Sequence, residues 1–390
     1  MRTSTFSRIV KAGLRFFGIW PYLPLTWLVR SYWIISLVTV QVFQNIYVVN
    51  NEPSSFSEFM DGVGSAVTHS FMMIKLIILW VNQRKFRDIL QMMTADWQNH
   101  MSKHQPLNIM TKTAFLARRM SRIIVGWNLC NVVMYSLGVI AANVGDPEKW
   151  EPYNRELILK MKFPFEISTH TIYVVVTVVQ FIHLVFIGFI LGILHSLLAT
   201  LILHIGGQIE ILQDWLKSAF SRNKSEQSDE ITPQLLITKH QQIIMFSENI
   251  ENLYTSIAFM VLLSDTMIIC CLGFVIVTSL NEPNAAAILV KCIMFYITMN
   301  FEVFLYCYAG EYLSAKSKLI GDAAYDSLWY NVAAKNRRIV LFVVLRSQKR
   351  LTITCGKIMD LTLERFTSVM KASASYMSVL LAMYSRRLAY

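Results

Sequence analysis

The chain has 390 residues, 54% of them hydrophobic and only 16% charged, with a mean hydropathy of +0.44. Soluble domains carry about 25% charged residues, so the composition excludes an ordinary soluble protein and points to a membrane protein. The net charge of +11 does not indicate a nucleic-acid binder, because the basic residues flank apolar runs and form no single block.

In chain order, the first thirty residues lack a short apolar core with a small-residue cleavage site, and Pro21 and Pro24 interrupt them. The first span is therefore expected to act as the targeting signal. A spanning helix needs about 20 mostly apolar residues. Seven stretches qualify, near 31–48, 62–82, 123–143, 171–203, 254–280, 286–311 and 361–385. All nine prolines fall outside them, which supports the boundaries independently, since an interior proline costs a helix about 3 kcal/mol. Alternating ten-residue segments are absent, so a strand barrel is not expected. The fold class is all-α, a polytopic membrane protein with seven transmembrane helices.

Orientation follows from the basic residues. Segments 1–30, 83–122, 204–253 and 312–360 hold 26 Lys and Arg, against 6 in segments 49–61, 144–170, 281–285 and the tail. Positive-inside reasoning puts the amino terminus in the cytoplasm and, with an odd number of spans, the carboxyl terminus outside. Arg386 and Arg387 in the tail run against the pattern. Trp27, Trp33, Trp80 and Trp127 lie near inner span ends and Trp150 near an outer one, as interfacial belts require. The sequon at Asn223 falls on an inner loop and is expected to stay unglycosylated.

Span four outlasts the membrane. Ile205, Ile209, Leu212 and Leu216 continue it as an amphipathic helix, a polar loop follows from Lys217 to Thr232, and Pro233 opens a second amphipathic run through Leu236, Ile243, Ile250 and Leu253. Short helical runs follow in 313–360, including Arg338 to Arg346. These stripes must pack on each other or on a partner subunit. Glu210 and Asp214 would repel an anionic leaflet, which disfavours the alternative of surface helices.

Lys75, Asp265, Lys291, Glu302, Arg365 and Lys371 lie in or at the ends of spans. Lys75 is close enough to the inner face to snorkel, while Asp265 and Glu302 suit either a buried structural pair or an ion path. On the last span Ser368, Ala372, Ser375, Val379 and Met383 (or Ala382) share one face. That face suits a water-filled pore closed by a hydrophobic constriction, or close packing through small residues. In the outer halves of spans two, three and four, His69, Ser70 and Met73, then Met134, Tyr135 and Gly138, then Tyr173 and Thr177 mix aromatic, sulfur and hydroxyl groups. Such a lining suits a small apolar ligand, and ordinary bundle packing would look similar.

Catalytic motifs such as GxSxG and HExxH are absent, so no enzyme is expected. Neither a metal nor a cofactor is expected. His170, His183, His195 and His204 share no ligand spacing, and His100 and His104, four apart on an inner loop, read as solvated polar residues. The six cysteines, Cys130, Cys270, Cys271, Cys292, Cys307 and Cys355, form no CxxC pair and read as small apolar side chains.

The carboxyl-terminal third resembles the insect odorant receptor family. The residues are Phe304-Leu305-Tyr306-Cys307 with Gly310-Glu311, Ser317, Ala323-Ala324-Tyr325, Trp329-Tyr330, Gly356-Lys357, Phe366, Lys371 and Ser375-Tyr376 with Leu380. The amino-terminal half is similar in span layout, around Lys75 and at Phe163-Pro164-Phe165. The resemblance implies an odorant-gated non-selective cation channel subunit, heterotetrameric with the odorant receptor co-receptor, in the plasma membrane of olfactory neuron dendrites. Its partners would be the co-receptor, a small volatile odorant and lipid, with no nucleic acid.

The resemblance also implies a layout. Residues 1–390 form one membrane domain, with 1–30 cytoplasmic and spans one to six in 31–311 holding an outer-half pocket. Anchor segments lie at 204–253 and 312–360, and the pore-lining seventh helix at 361–385. It places the gate on Val379 and Met383, beside Ser375 and Ala382, and adds Ala142 and Phe274 to the pocket residues. Tyr325, Trp329, Gly356 and Phe366 fall in the subunit anchor. The short inner loop between spans four and five resembles a ligand-tuning subunit and not the co-receptor. The Thr-Tyr ending of gustatory receptors is missing, which sets aside a gustatory-receptor-like channel. A metabotropic seven-helix receptor would need an outer cysteine pair and AspArgTyr-like motifs, and a transporter would need broken helices.

Overall fold

A computed structural model describes residues 5–50, 56–100, 104–145, 155–219, 232–281, 285–331 and 334–388. Trp150, Asn223 and most of the polar loop after Lys217 lie outside the described residues. Among the described residues ten α-helices follow in order: α1 Arg8–Phe16, α2 Thr26–Asn50, α3 Phe56–Val81, α4 Gln83–His100, α5 His104–Gly145, α6 His170–Ala219, α7 Pro233–Thr278, α8 Ala285–Asp326, α9 Ala334–Ser347 and α10 Leu363–Leu388. A two-stranded antiparallel ribbon, β1 Thr354–Cys355 and β2 Met359–Asp360, precedes α10.

Seven of these helices match the seven expected spans. Six (α2, α3, α5, α6, α7 and α8) are long and apolar enough to cross a membrane. The seventh, α10, has 26 residues, about 39 Å at 1.5 Å per residue. That exceeds the ~30 Å hydrocarbon core, but the helix carries Glu364, Arg365, Lys371 and several serines.

Helices α5 to α8 have 42, 50, 46 and 42 residues, so each runs well past the bilayer core, toward the end that carries the basic loops. At this basic end the apolar stripes find their partners inside the subunit. Ile205, Ile209, Leu212 and Leu216 of α6 are fully buried, and so are Leu236, Ile243, Ile250 and Leu253 of α7. The surface-helix alternative is thereby excluded, and so is the use of these two stripes as a docking face. Thr232 caps α7, its Oγ1 accepting from the Leu235 N–H at 3.3 Å, with Pro233 at the first helical position.

Two basic-end helices were not foreseen as such. Val10, Leu14 and Phe17 carry α1 and its C-cap onto α6. Phe86, Ile89, Leu90, Met93 and Trp97 carry α4 into the core. Their burial explains three corrections. Trp33 and Trp80 are not belt residues: both are buried, and their Nε1 groups donate to the Phe16 carbonyl at 3.1 Å and the Phe17 carbonyl at 3.0 Å. Trp27 is exposed, as a belt residue should be. His100 is not solvated but buried at the end of α4, 5.7 Å from the Trp215 ring and 3.5 Å from Lys239 Nζ.

The ribbon is the departure from an all-helical pattern. Gly356 and Lys357 both take φ near +60°, and the Ile358 N–H closes the turn on the Cys355 carbonyl at 3.0 Å. A glycine suits the first left-handed position, and a lysine at the second is unusual. The turn is clamped to α7: the Gly356 N–H donates to the Thr255 carbonyl at 3.0 Å, and the Lys357 N–H to Thr255 Oγ1 at 3.0 Å.

Candidate functional site

Four helices diverge around a cavity in the half of the bundle opposite the basic end. It is lined by Ser65, Thr68 and His69 of α3, Asn128, Asn131, Val132 and Tyr135 of α5, Leu184, Ile187, Gly188 and Leu191 of α6, and Phe295, Thr298 and Met299 of α8, with Leu159 from the segment before α6. Its volume is about 90 Å³, less than the ~150 Å³ of an engineered cavity that binds benzene. Gly188 lets α5 and α6 approach at its wall, since a Cβ there would lie 2.6 Å from Val132 Cγ2 and 3.2 Å from the Asn128 carbonyl.

Ion pairs bracket the cavity. Above it, one turn from Ser65 and from Phe295, Lys291 Nζ bonds Asp61 Oδ2 at 2.5 Å and lies 5.3 Å from the Tyr135 ring. Tyr135 meets Phe295 edge-on at 6.1 Å. Below it, Lys75 bonds Glu302, which His195 Nε2 also approaches at 3.3 Å. All three are buried, so Lys75 does not snorkel. Asp265 is buried nearby and accepts from Ser264 Oγ at 2.9 Å.

Of the ligand residues expected from the sequence, His69 and Tyr135 line this cavity. Met73 packs on the adjacent core, and the Ser70 hydroxyl is bonded to the Ala66 carbonyl at 2.9 Å. Met134 is half-buried on α5, where Gly138 and Ala142 are buried beyond the cavity. Tyr173 is buried and bonds Asn143 at 3.0 Å. Thr177 Oγ1 is buried. Phe274 faces away, packing edge-on against Tyr384 of α10 at 5.5 Å. The lining residues of α6 and α8, and Asn128 and Asn131, were missed. In those runs almost every position is apolar, so hydropathy does not say which face is inward.

On α10 one face packs and the other is bare. Ser373 Oγ donates to the Thr266 carbonyl of α7 at 3.4 Å, and Tyr384 meets Phe274. Ser375, Val379, Ala382 and Met383 are exposed, Val379 at 57% and Met383 at 65%. Of the anchor residues, Tyr325 is exposed, Trp329 packs partly on the core, Gly356 forms the ribbon turn, and Phe366 packs edge-on against Phe304 at 5.7 Å. Phe342, Leu345 and Ile358 are exposed at the same end.

A second polar cluster sits at the basic end. Asp96 accepts from Lys239 Nζ at 2.8 Å and lies 3.2 Å from His204 Nε2. Lys239 also donates to Gln208 at 2.5 Å, and Thr5 Oγ1 reaches His204 Nδ1 at 3.1 Å. Burial alone would raise the Asp96 carboxyl, but the His204 bond and the Lys239 charge outweigh it and hold the group at about 2. Among the described residues no group of three or more His, Cys, Asp and Glu is arranged to hold a metal.

The family model described as 7tm Odorant receptor matches residues 55–374. The chain belongs to that odorant receptor family. Odorant receptor 13a of Drosophila melanogaster is 25% identical over 388 residues, covering 93% of this chain and 89% of the relative. Odorant receptor 10 of Aedes albopictus is 32% identical over 150 residues, 38% of this chain and 39% of the relative. The fold matches the insect olfactory receptor OR5 from Machilis hrabei in complex with eugenol, with a TM-score of 0.78, 14% identity, and coverage of 96% of this chain and 97% of that one. The fold match makes this a seven-helix, multi-pass membrane protein, and membership of the odorant receptor family makes it an odorant-sensing receptor, not an enzyme.

Proposed function

We propose that this odorant receptor is a ligand-tuning subunit of an odorant-gated, non-selective cation channel whose pore it shares with the odorant receptor co-receptor. The observation that carries this reading is α10. It is long enough to cross the bilayer, yet its bare face carries Ser375 beside Val379, Ala382 and Met383. The same face carries the exposed Lys371 one turn before Ser375, and a charge set against lipid is costly. Against water in a central pore it is stable, and the ring of Val379 and Met383 supplies the hydrophobic constriction. In this reading the basic end is cytoplasmic, the carboxyl terminus is extracellular, and the receptor works in the plasma membrane of olfactory dendrites. Subunits meet through Tyr325, Trp329, the Gly356 ribbon and Phe366, where Phe342, Leu345 and Ile358 extend the exposed apolar surface.

The odorant enters the cavity of His69 and Tyr135 in the outer half of the membrane. Ser70, Met73, Met134, Gly138, Ala142, Tyr173 and Thr177 lie on the lining helices α3, α5 and α6 outside the cavity wall and act on its shape only indirectly, while Phe274 packs on α10 and takes no part.

The test is patch recording from cells expressing the chain with and without an insect co-receptor, applying volatiles to excised membrane free of nucleotides. Cation current within milliseconds that needs both chains is expected. Responses confined to intact cells supplied with GTP overturn the channel reading in favour of a metabotropic one.

A further inference from the structure

The polar atoms of the cavity lining are not equally available. Thr68 Oγ1 donates to the Gly64 carbonyl at 2.8 Å, Thr298 Oγ1 to the Met294 carbonyl at 2.9 Å, and Asn128 Nδ2 to the Ile124 carbonyl at 2.8 Å. The two hydroxyl donors are spent on their own helices, and the Asn128 amide uses one of its two N–H groups there. Among the described residues, two buried atoms of the lining have no partner, His69 Nε2 and Asn131 Oδ1, on side chains only 5% and 7% exposed.

Both atoms are acceptors. Asn131 Nδ2 lies 2.8 Å from the Trp127 carbonyl, and a carbonyl can only accept, so the amide NH2 is there and the oxygen is the atom left over. His69 Nδ1 lies 3.0 Å from the Ser65 carbonyl. The same logic puts the proton on Nδ1. Gln44 Nε2, at 3.5 Å from Nδ1, is too distant to reverse it. The ring is buried and bonds no carboxylate among the described residues, so the imidazole is neutral and Nε2 carries a bare lone pair. The hydroxyls of Tyr135 and Ser65 can donate or accept, so they favour neither kind of ligand.

The geometry points to a ligand that brings a hydrogen-bond donor: a small alcohol or phenol, its hydroxyl given to His69 Nε2 or Asn131 Oδ1 and its apolar body held by Leu184, Ile187 and Leu191. This rests on the reading of the cavity as the odorant site. An ether or aldehyde of the same size leaves both acceptors unpaired, and an aldehyde oxygen also meets them lone pair to lone pair. A missing bond of this kind is worth on the order of tenfold in affinity.

The experiment compares n-hexanol with hexanal and methyl pentyl ether, and phenol with anisole. It reads current from cells that also express an insect co-receptor, and thermal stabilisation of the purified receptor. The hydroxyl member of each set is expected to act at about tenfold lower concentration. In the His69→Phe, Asn131→Leu double variant the gap between hydroxyl compound and ether should shrink to under about threefold. Equal potency across a set overturns the inference. So does a preference for the aldehyde or ether, a gap that survives the double variant, or hydroxyl compounds that neither activate nor stabilise. The wild-type series stands alone if the variant does not fold. Leu191→Trp, which fills the cavity, separates the two layers. A response that persists there places the odorant site elsewhere and the cavity reading fails. A response that is lost, with no hydroxyl preference in the wild type, removes only the inference.

Discussion

Helices α6 and α10 both cross the membrane, yet they belong to different structures. From Ile187 to Leu216 almost every residue of α6 is buried within the subunit, whereas α10 leaves Tyr376, Val379 and Met383 bare. The first helix is fixed by its own chain. The second is finished only by what surrounds the subunit. Substitutions on α6 should therefore act on stability and those on α10 on assembly and current.

The largest effect should come from the ion layer beside α6. Lys75→Met leaves Glu302 buried without its main partner, and Glu302→Leu strands Lys75. Each should cost about 3–5 kcal/mol, read as a fall in the melting temperature of purified receptor. The Lys75→Met, Glu302→Leu double variant should recover most of the loss, because apolar replacement of a buried pair is close to neutral. A double variant as unstable as the sum of the singles would show that the pair does not act as a unit.

Next, Leu201→Ala in the fully buried stretch of α6 should cost about 2–5 kcal/mol. Val379→Ala on the bare face should stay within about 0.5 kcal/mol. Currents should rank the other way once normalised to surface receptor: Val379→Ala raises the current without odorant, and Leu201→Ala leaves gating unchanged. If Val379→Ala destabilises the isolated subunit as strongly as Leu201→Ala, the comparison between the helices collapses.

Acid should act at the basic end through two groups. Burial, with Arg346 nearby, lowers His240 to about 4. Below pH 6.5 the unfolded chain takes up a proton that the folded chain refuses, so up to about 3 kcal/mol is lost as pH falls from about 6.5 to 4. Asp96, held at about 2, works lower. Its stabilisation, about 2 kcal/mol, is intact above pH 4 and disappears as pH falls toward 2. Melting curves of wild type and His240→Phe between pH 7 and 4 should converge as pH falls, the variant losing less. Parallel curves would mean that His240 is not kept neutral by the fold.

The spans were legible because about 20 apolar residues in a row have few other uses, and Pro233 marked the start of α7. The long continuations of α6 and α7 were legible from the spacing of Ile205, Ile209, Leu212 and Leu216. What they face was not, since a stripe announces burial without naming its partner. Helix α4 escaped notice because Gln83–His100 is short and mostly polar. The ribbon escaped because two paired residues on each strand leave no alternation to read. Within the cavity, His69 and Tyr135 stood out as polar groups in apolar runs, whereas Leu184, Ile187 and Leu191 look like every other residue of α6. The partner of Lys75 lies 227 positions away, beyond any local pattern.

The smallest effect tests whether the basic end is as tightly fixed as α6 implies. Thr232 is exposed, but its Oγ1 accepts the Leu235 N–H at the start of α7. Thr232→Ala should cost about 1 kcal/mol and Thr232→Ser almost nothing, since a serine cap serves as well. Amide exchange reports this locally: in Thr232→Ala the first turn of α7 should exchange about fivefold faster, while amides from Ile243 onward keep wild-type protection. If protection is lost through Ile250, the buried stripe of α7 depends on its cap. The packing against α6 is then weaker than the full burial of both stripes implies.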